Sequence, residues 1–328
     1  MGLLVNGQWR DHWHDTPAND GEFVREDSQF RHWITPTGEP GPSGKGGFKA
    51  EVGRYHLYVS LACPWAHRAL IMRELKGLQD IISISIVHPD MHERGWHFAN
   101  DFPGATGDEL YGFQCLHQLY TKDDASYSGR VTVPVLWDKH TQCIVNNESS
   151  DIIRILNTAF GDLSGQQGDY YPQALRSDID TINEFVYHAV NNGVYRVGFA
   201  TTQAAYEHAF KQLFSALDSL DNRLSKTRYL VGEQLTEADW RLFTTLVRFD
   251  SVYFGHFKCN QQRIADYPHL SHYLRDLYQY PNIAQTVNLD HIKRHYYVSH
   301  SGINPSGIIP VGPFLNLDAP HDRECLTK

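Results

Sequence analysis

The 328-residue chain has only five cysteines, at positions 63, 115, 143, 259 and 325. An odd number at such wide spacing does not make a disulfide framework and points to a reducing compartment. No stretch approaches the roughly 20 apolar residues that a membrane-spanning helix needs. The opening Met1-Gly2-Leu3-Leu4-Val5-Asn6 lacks the charged and apolar regions of a signal peptide, and Asn6 breaks the myristoylation pattern. A cytoplasmic protein with no membrane partner is expected. Lys/Arg-rich runs are missing and the net charge is −9, so a nucleic-acid partner is not expected either. There is no internal repeat. The glycines between Pro36 and Gly47 do not make a phosphate loop, because Gly44-Lys45 is followed by Gly46 and no strand precedes it. The 19 histidines carry no clear ligand pattern: Pro89 disfavours a regular helix through His88, His92 and His97, and nothing completes a set around His291 and His295. No metal is expected.

What is present suggests two folded parts. Residues 1–50 read as an extended arm with Trp9, Trp13, Phe23, Phe30 and Trp33 as aromatic anchors. From Tyr55 the pattern sharpens into a strand to Val59, a helix from Pro64 to about Lys76, and a second strand in which Ile82, Ile84 and Ile86 alternate with Ser83 and Ser85. A polar insertion from His88 to Arg130 precedes strands at Val131 to Trp137 and Cys143 to Asn146, and a helix that opens at Glu148-Ser149-Ser150-Asp151. The order βαβ–ββα predicts a thioredoxin-like α/β domain over 51–165. Helical periodicity then takes over, with Phe185, Phe210, Phe214, Leu217 and Leu224 at core spacing, and predicts an all-α domain over 166–298. Thr236 and Asp239 have the spacing of a capping box, a structural device rather than a catalytic one. Residues 299–328 are rich in helix breakers and read as a surface tail.

Cys63 is the residue on which chemistry is expected to turn. It follows the first strand and precedes Pro64, which suits the first helical position because its missing N–H costs nothing there. A thiol at a helix start faces unpaired backbone N–H groups and the positive end of the helix dipole, which favour thiolate, the nucleophilic form. Ala66 stands where a C-x-x-C motif has its second cysteine. Any resolving thiol must therefore come from another molecule.

A thioredoxin-like half with one thiol at its first helix, followed by an all-helical half, resembles the glutathione transferase superfamily. The string Cys63-Pro64-Trp65-Ala66-His67-Arg68, the Gly95-Trp96 pair, the segment from Tyr229-Leu230-Val231-Gly232-Glu233 to Asp239, and the tail Asn304-Pro305 to Gly312-Pro313 narrow the resemblance to the Xi class, the glutathionyl-hydroquinone reductases. The resemblance implies glutathione as co-substrate, Cys63 as nucleophile, and a glutathione site made by Trp96, Arg130, Val133, Glu148 and Ser149. Val133-Pro134 falls where the family has a cis-proline. The family also implies Tyr195 as proton donor, with Tyr253 and Tyr296 hydrogen-bonding the thiolate or the substrate oxygen, and a homodimer. A guanidinium fork for a carboxylate, and a carboxylate for the γ-glutamyl ammonium, make chemical sense of Arg130 and Glu148. Two other readings stay open: an Omega-like thiol transferase or dehydroascorbate reductase, and a non-catalytic binding module of the same fold.

Overall fold

The computed structural model describes residues 2–12 and 16–327; Trp13, expected among the aromatic anchors, lies outside them. By its internal contacts the chain falls into two units, and both are interleaved in sequence. One takes Met1–Trp13, Glu26–Asp169 and Asn288–Ser299, the other His14–Arg25, Tyr170–Val287 and His300–Lys328. The expected divisions follow the chain without interruption, whereas packing assigns single segments of the arm and of the C-terminal third to different units.

The first unit is organised around the strand β3 (Tyr55–Val59), whose five residues are all buried. A short hairpin precedes it in the chain, β1 (Leu3–Val5) and β2 (Gln8–Arg10). After β3 come helix α1 (Pro64–Leu75), β4 (Ser83–Ile86), the two-residue strands β5 (Met91–His92) and β6 (Gly95–Trp96), and helix α2 (His117–Asp123). Then follow β7 (Gly129–Arg130), β8 (Val135–Asp138), β9 (Cys143–Asn146), and helices α3 (Ser149–Ala159) and α4 (Gly161–Ser164). The central sheet has the order β4-β3-β8-β9, parallel between β3 and β4 and antiparallel elsewhere. This is the thioredoxin-like βαβ–ββα arrangement read from the sequence. A histidine in the central strand is accommodated because its two ring nitrogens meet the Ser83 and Ser85 hydroxyls at 2.7 and 2.9 Å. Burial pushes its pKa down to about 4, so it is neutral there.

Two boundaries differ from expectation. The strand expected from Val131 begins at Val135, since Pro134 has no N–H to give the ladder. The arm is more than an extended strap: β1 pairs with both β2 and β7 in a second sheet. Farther on, His32 N–H donates to Val145 O at 2.9 Å and Asn147 N–H to Phe30 O at 3.1 Å. Those bonds cover the outer edge of β9, which would otherwise present unpaired backbone groups.

The second unit is helical: α5 (Arg176–Val186), α6 (Gly193–Gly198), α7 (Gln203–Leu224), α8 (Glu237–Arg248) and α9 (Leu270–Tyr278). All twelve residues of α8 are buried, and its start carries the capping box expected at Thr236 and Asp239. Phe214, Leu217 and Leu224 are core residues as expected, but Phe185 is 40% exposed. It falls off the stripe Ile179, Ile182, Asn183 and Val186 through which α5 buries its inner face. Single π-helical turns at Tyr187–Asn191 and Phe249–Tyr253 follow α5 and α8. The last helix, α10 (Leu289–Ser299), belongs to the first unit. No helix among the described residues is long and apolar enough to cross a membrane.

Candidate active site

Cys63 is the N-cap of α1, in extended conformation and with no side-chain capping bond. Ser60 builds the turn that presents it: the Ser60 carbonyl accepts from Cys63 N–H at 3.2 Å and the Ser60 hydroxyl from Ala62 N–H at 3.2 Å. The Cys63 carbonyl takes the first helical bond, from His67 N–H. The thiol lies at the positive end of α1, where the helix dipole and the first N–H groups favour a negative charge on sulfur. The half-buried thiol donates to Val133 O at 3.6 Å. Val133-Pro134 is a cis peptide.

Another helix start in this unit, that of α3, is built from Glu148 and Ser149. Glu148 caps α3, accepting from Ser150 N–H at 3.0 Å through one carboxylate oxygen and from the Ser28 hydroxyl at 3.1 Å through the other. Burial pushes this carboxyl up. Hydrogen bonds from Ser150, the charge of Arg68 and the Ser28 hydroxyl outweigh burial and hold it below the usual range, so Glu148 is an anion at neutral pH. The neighbouring Ser149 hydroxyl accepts from Arg68 of α1 at 3.4 Å, and the Arg68 guanidinium lies 4.6 Å from the Trp65 ring centroid. Arg68 thus joins the Cys63 helix to the start of α3. Asp151, one turn in, binds Arg31 of the arm through a two-point ion pair.

Arg130 ends β7 and directs its guanidinium at Glu26, at 3.1 Å, and at the His12 carbonyl, at 2.7 Å. Its fork already holds a carboxylate side chain. Trp96 is buried, with its ring stacked on His295 at 4.6 Å, and Tyr296 follows on α10, 2% exposed. The second unit contains the other two tyrosines. Tyr195 on α6 and Tyr253 at the end of its π-helical turn have ring centroids 6.1 Å apart, and both rings approach Phe257. The Arg25 guanidinium lies 5.1 Å from the Tyr195 centroid and donates to Asn192 Oδ1 at 2.8 Å. Among the described residues no group of three His, Cys, Asp or Glu side chains is arranged to hold a metal ion.

Comparison with known proteins gives this geometry a lineage. The description "Glutathione S-transferase, N-terminal domain" matches residues 62–159, and "Glutathione S-transferase, C-terminal domain" matches 203–276. The glutathionyl-hydroquinone reductase YqjG of Escherichia coli is 59% identical, covering 99% of both chains, and PcpF of Sphingobium chlorophenolicum is 55% identical, covering 95% of this chain and 96% of its own. A Xi-class glutathione transferase structure from Natrialba magadii superposes with a TM-score of 0.91 at 45% identity, over 100% of this chain and 98% of that one. The chain belongs to the Xi class of glutathione transferases. The glutathione-bound structure of YqjG also superposes with a TM-score of 0.91, at 56% identity over 98% of this chain and 99% of that one.

Within this Xi-class chain, sequence reasoning missed the residues that hold the named ones in place. Glu26, Ser28 and Arg31 come from an arm whose aromatic and glycine content masks single polar contacts across about a hundred residues. Arg68 was visible as part of the first motif, yet its bond to Ser149 depends on the packing of α1 against α3. His295 offers the sequence only a metal-ligand reading, since its contact with the Trp96 ring exists only in the fold.

Proposed function

We propose that this chain catalyses the glutathione-dependent reduction of glutathionyl-hydroquinones to hydroquinones, with Cys63 as nucleophile. The Cys63 thiolate attacks the sulfur of the aromatic thioether. The carbon–sulfur bond breaks, its electron pair passes to the aromatic carbon, and that carbon takes a proton from Tyr195. The products are the hydroquinone and a Cys63–glutathione mixed disulfide. A second glutathione thiolate then attacks the glutathione sulfur of that disulfide, releases oxidised glutathione and returns Cys63 to the thiolate; the proton it gives up restores Tyr195. Across the two steps, one glutathione thiol and the glutathionyl sulfur of the thioether become one disulfide, while carbon–sulfur is reduced to carbon–hydrogen. Ala66 makes the external thiol necessary.

The observation that carries this reading is the Cys63 thiol at the N-cap of α1, where it meets Val133 while Glu148 and Ser149 open α3 in the same unit. The donor set suits glutathione: the Glu148 carboxylate for an ammonium, Ser149 and Arg130 for carboxylates, Val133 for backbone pairing, and Trp96 as a wall. Tyr253 and Tyr296 supply hydroxyls for the thiolate or the substrate oxygen. None of the five cysteines is in a disulfide; the compartment proposed is the cytoplasm, and the active form is taken to be a homodimer. YqjG and PcpF are named for this activity; a 47% identical Schizosaccharomyces pombe relative, covering 93% of this chain and 97% of its own, is named omega-like. The test is hydroquinone release from a glutathionyl-hydroquinone with excess glutathione, for wild type and Cys63→Ser. Release that disappears in the variant is expected. A wild type inactive there but active on dehydroascorbate would replace this reading with the Omega-like one, and inactivity on both would leave a binding module.

A further inference from the structure

Helix α10 reaches the first unit from more than a hundred residues farther along the chain, and it is fastened at four points to the insertion that follows β4. His291 Nε2 meets Pro103 O at 2.8 Å, and His295 Nδ1 meets Pro89 O at 2.8 Å. The Ser299 hydroxyl accepts from Met91 N–H at 2.9 Å. Between them, Arg294 makes a two-point fork to Asp90, with Nε to Oδ1 at 2.7 Å and Nη2 to Oδ2 at 2.6 Å. Residues 291, 294, 295 and 299 lie three and four apart, so the fastened side is one face of the helix. The fork is its most directional part, since a planar guanidinium on a carboxylate fixes angle as well as distance. Asp90 is 5% exposed, so its charge depends on that partner.

Two residues with proposed roles hang from this joint. Trp96 belongs to the β5–β6 hairpin that starts one residue after Asp90, and its ring lies on His295, the neighbour of Arg294. Tyr296 is two residues beyond Arg294 on the same helix. A rotation or slide of α10 against the insertion would displace both.

We propose that Asp90 and Arg294 are positioning residues for the reductase reaction: their fork fixes α10 on the insertion, and thereby sets the Trp96 ring and the Tyr296 hydroxyl. The inference rests on the function proposed above. It predicts that geometry at this joint governs turnover separately from folding.

Removing one charge alone leaves Asp90 buried without its partner, and such a variant can simply fail to fold. The decisive protein is therefore the neutral pair Asp90→Asn with Arg294→Gln, compared with wild type and with Arg294→Lys. The expected result is a double variant that melts within a few degrees of wild type and alkylates Cys63 with iodoacetamide at the wild-type rate. Its kcat on a glutathionyl-hydroquinone should nevertheless fall about ten- to hundredfold, the scale of an ångström-sized misplacement. Wild-type kcat in the folded double variant would overturn the proposal. Backbone hydrogen exchange over 91–98 and 289–299 gives a readout independent of activity. Faster exchange in both segments of Arg294→Lys is expected, and unchanged exchange in the hairpin would overturn the proposal. If wild type proves inactive on glutathionyl-hydroquinones, the reaction assignment fails while the exchange experiment still judges the joint.

Discussion

The starts of α1 and α8 show the same local problem solved in opposite ways. Each helix must satisfy or expose its first N–H groups. At α8 the start is closed. The Asp239 carboxylate accepts from Thr236 N–H at 2.8 Å and from its hydroxyl at 3.2 Å through one oxygen, and from Leu230 N–H and the Tyr273 hydroxyl, both at 2.8 Å, through the other. Thr236 and Asp239 are fully buried. At α1 the N-cap is Cys63, a weak acceptor with no side-chain capping bond, followed by a proline that needs none. The difference lies in the side chain at each start: at α8 a buried carboxylate ties Thr236, Leu230 and Tyr273 together and stabilises the fold, whereas at α1 the N-cap side chain is a thiol at the positive end of the helix, where a negative charge is favoured.

The strongest way to break that contrast is to remove each residue and compare what is lost. Cys63→Ala should abolish glutathionyl-hydroquinone turnover, by roughly three powers of ten or more, as loss of a nucleophile does. Its melting temperature should stay near wild type, because no capping bond is removed. Asp239→Ala should do the reverse. It strands several buried donors and should lower stability by about 3 kcal/mol in denaturant titration, while turnover per folded molecule stays at the wild-type level. A large stability loss in Cys63→Ala, or a turnover loss in folded Asp239→Ala, would erase the distinction.

The start of α3 lies between the two, because Glu148 caps the helix and, in the proposed function, also supplies a charge to glutathione. Glu148→Gln keeps an oxygen for Ser150 N–H and removes the charge. Stability should fall by no more than about 1 kcal/mol. The KM for glutathione should rise about tenfold, as expected for losing one hydrogen bond to a charged group. The pH dependence has a definite sign. The carboxyl is held below its ordinary 4.5, so the stability it contributes is present above that value and is lost as pH falls through the lower folded-state pKa. On acidification below about 4.5, wild type should lose stability more steeply than Glu148→Gln, as read from denaturant midpoints at successive pH values. Equal slopes would mean that the carboxyl titrates normally and that the start of α3 is purely structural.

Local signals carried most of the fold. Alternating Ile82, Ile84 and Ile86, the proline after Cys63 and the spacing of Thr236 and Asp239 each involve neighbours in sequence, where periodicity and capping chemistry are direct. Phe185 failed because one aromatic at a plausible interval does not say which side of α5 is buried. At Cys63, Val133 and Glu148 the motif coincides with a defined element, two helix N-caps and a cis peptide, and their roles are those proposed above. The site was not legible where distant segments meet: Ser28 touches Glu148 across 120 positions, and Arg294 reaches Asp90 across 204. Polar pairings of that separation leave no periodic trace, since either partner alone looks like a solvated surface group.

Ser28 offers the smallest and sharpest probe of the difference between open and closed helix starts. Its hydroxyl lies 3.1 Å from Glu148 Oε2 and 3.3 Å from Asn147 O. It carries one proton, so it serves the two acceptors in turn and partly closes the start of α3 from the arm. Ser28→Ala should cost about 0.5–1.5 kcal/mol, the net worth of one hydrogen bond. Glu148 loses a donor to its ionised form, so its carboxyl should titrate at higher pH than in wild type. A few-fold rise in KM for glutathione with kcat unchanged is expected, well below the effect of Glu148→Gln. If Ser28→Ala instead matches Glu148→Gln, then the arm contacts the substrate itself, and the start of α3 belongs with that of α1 rather than between the two.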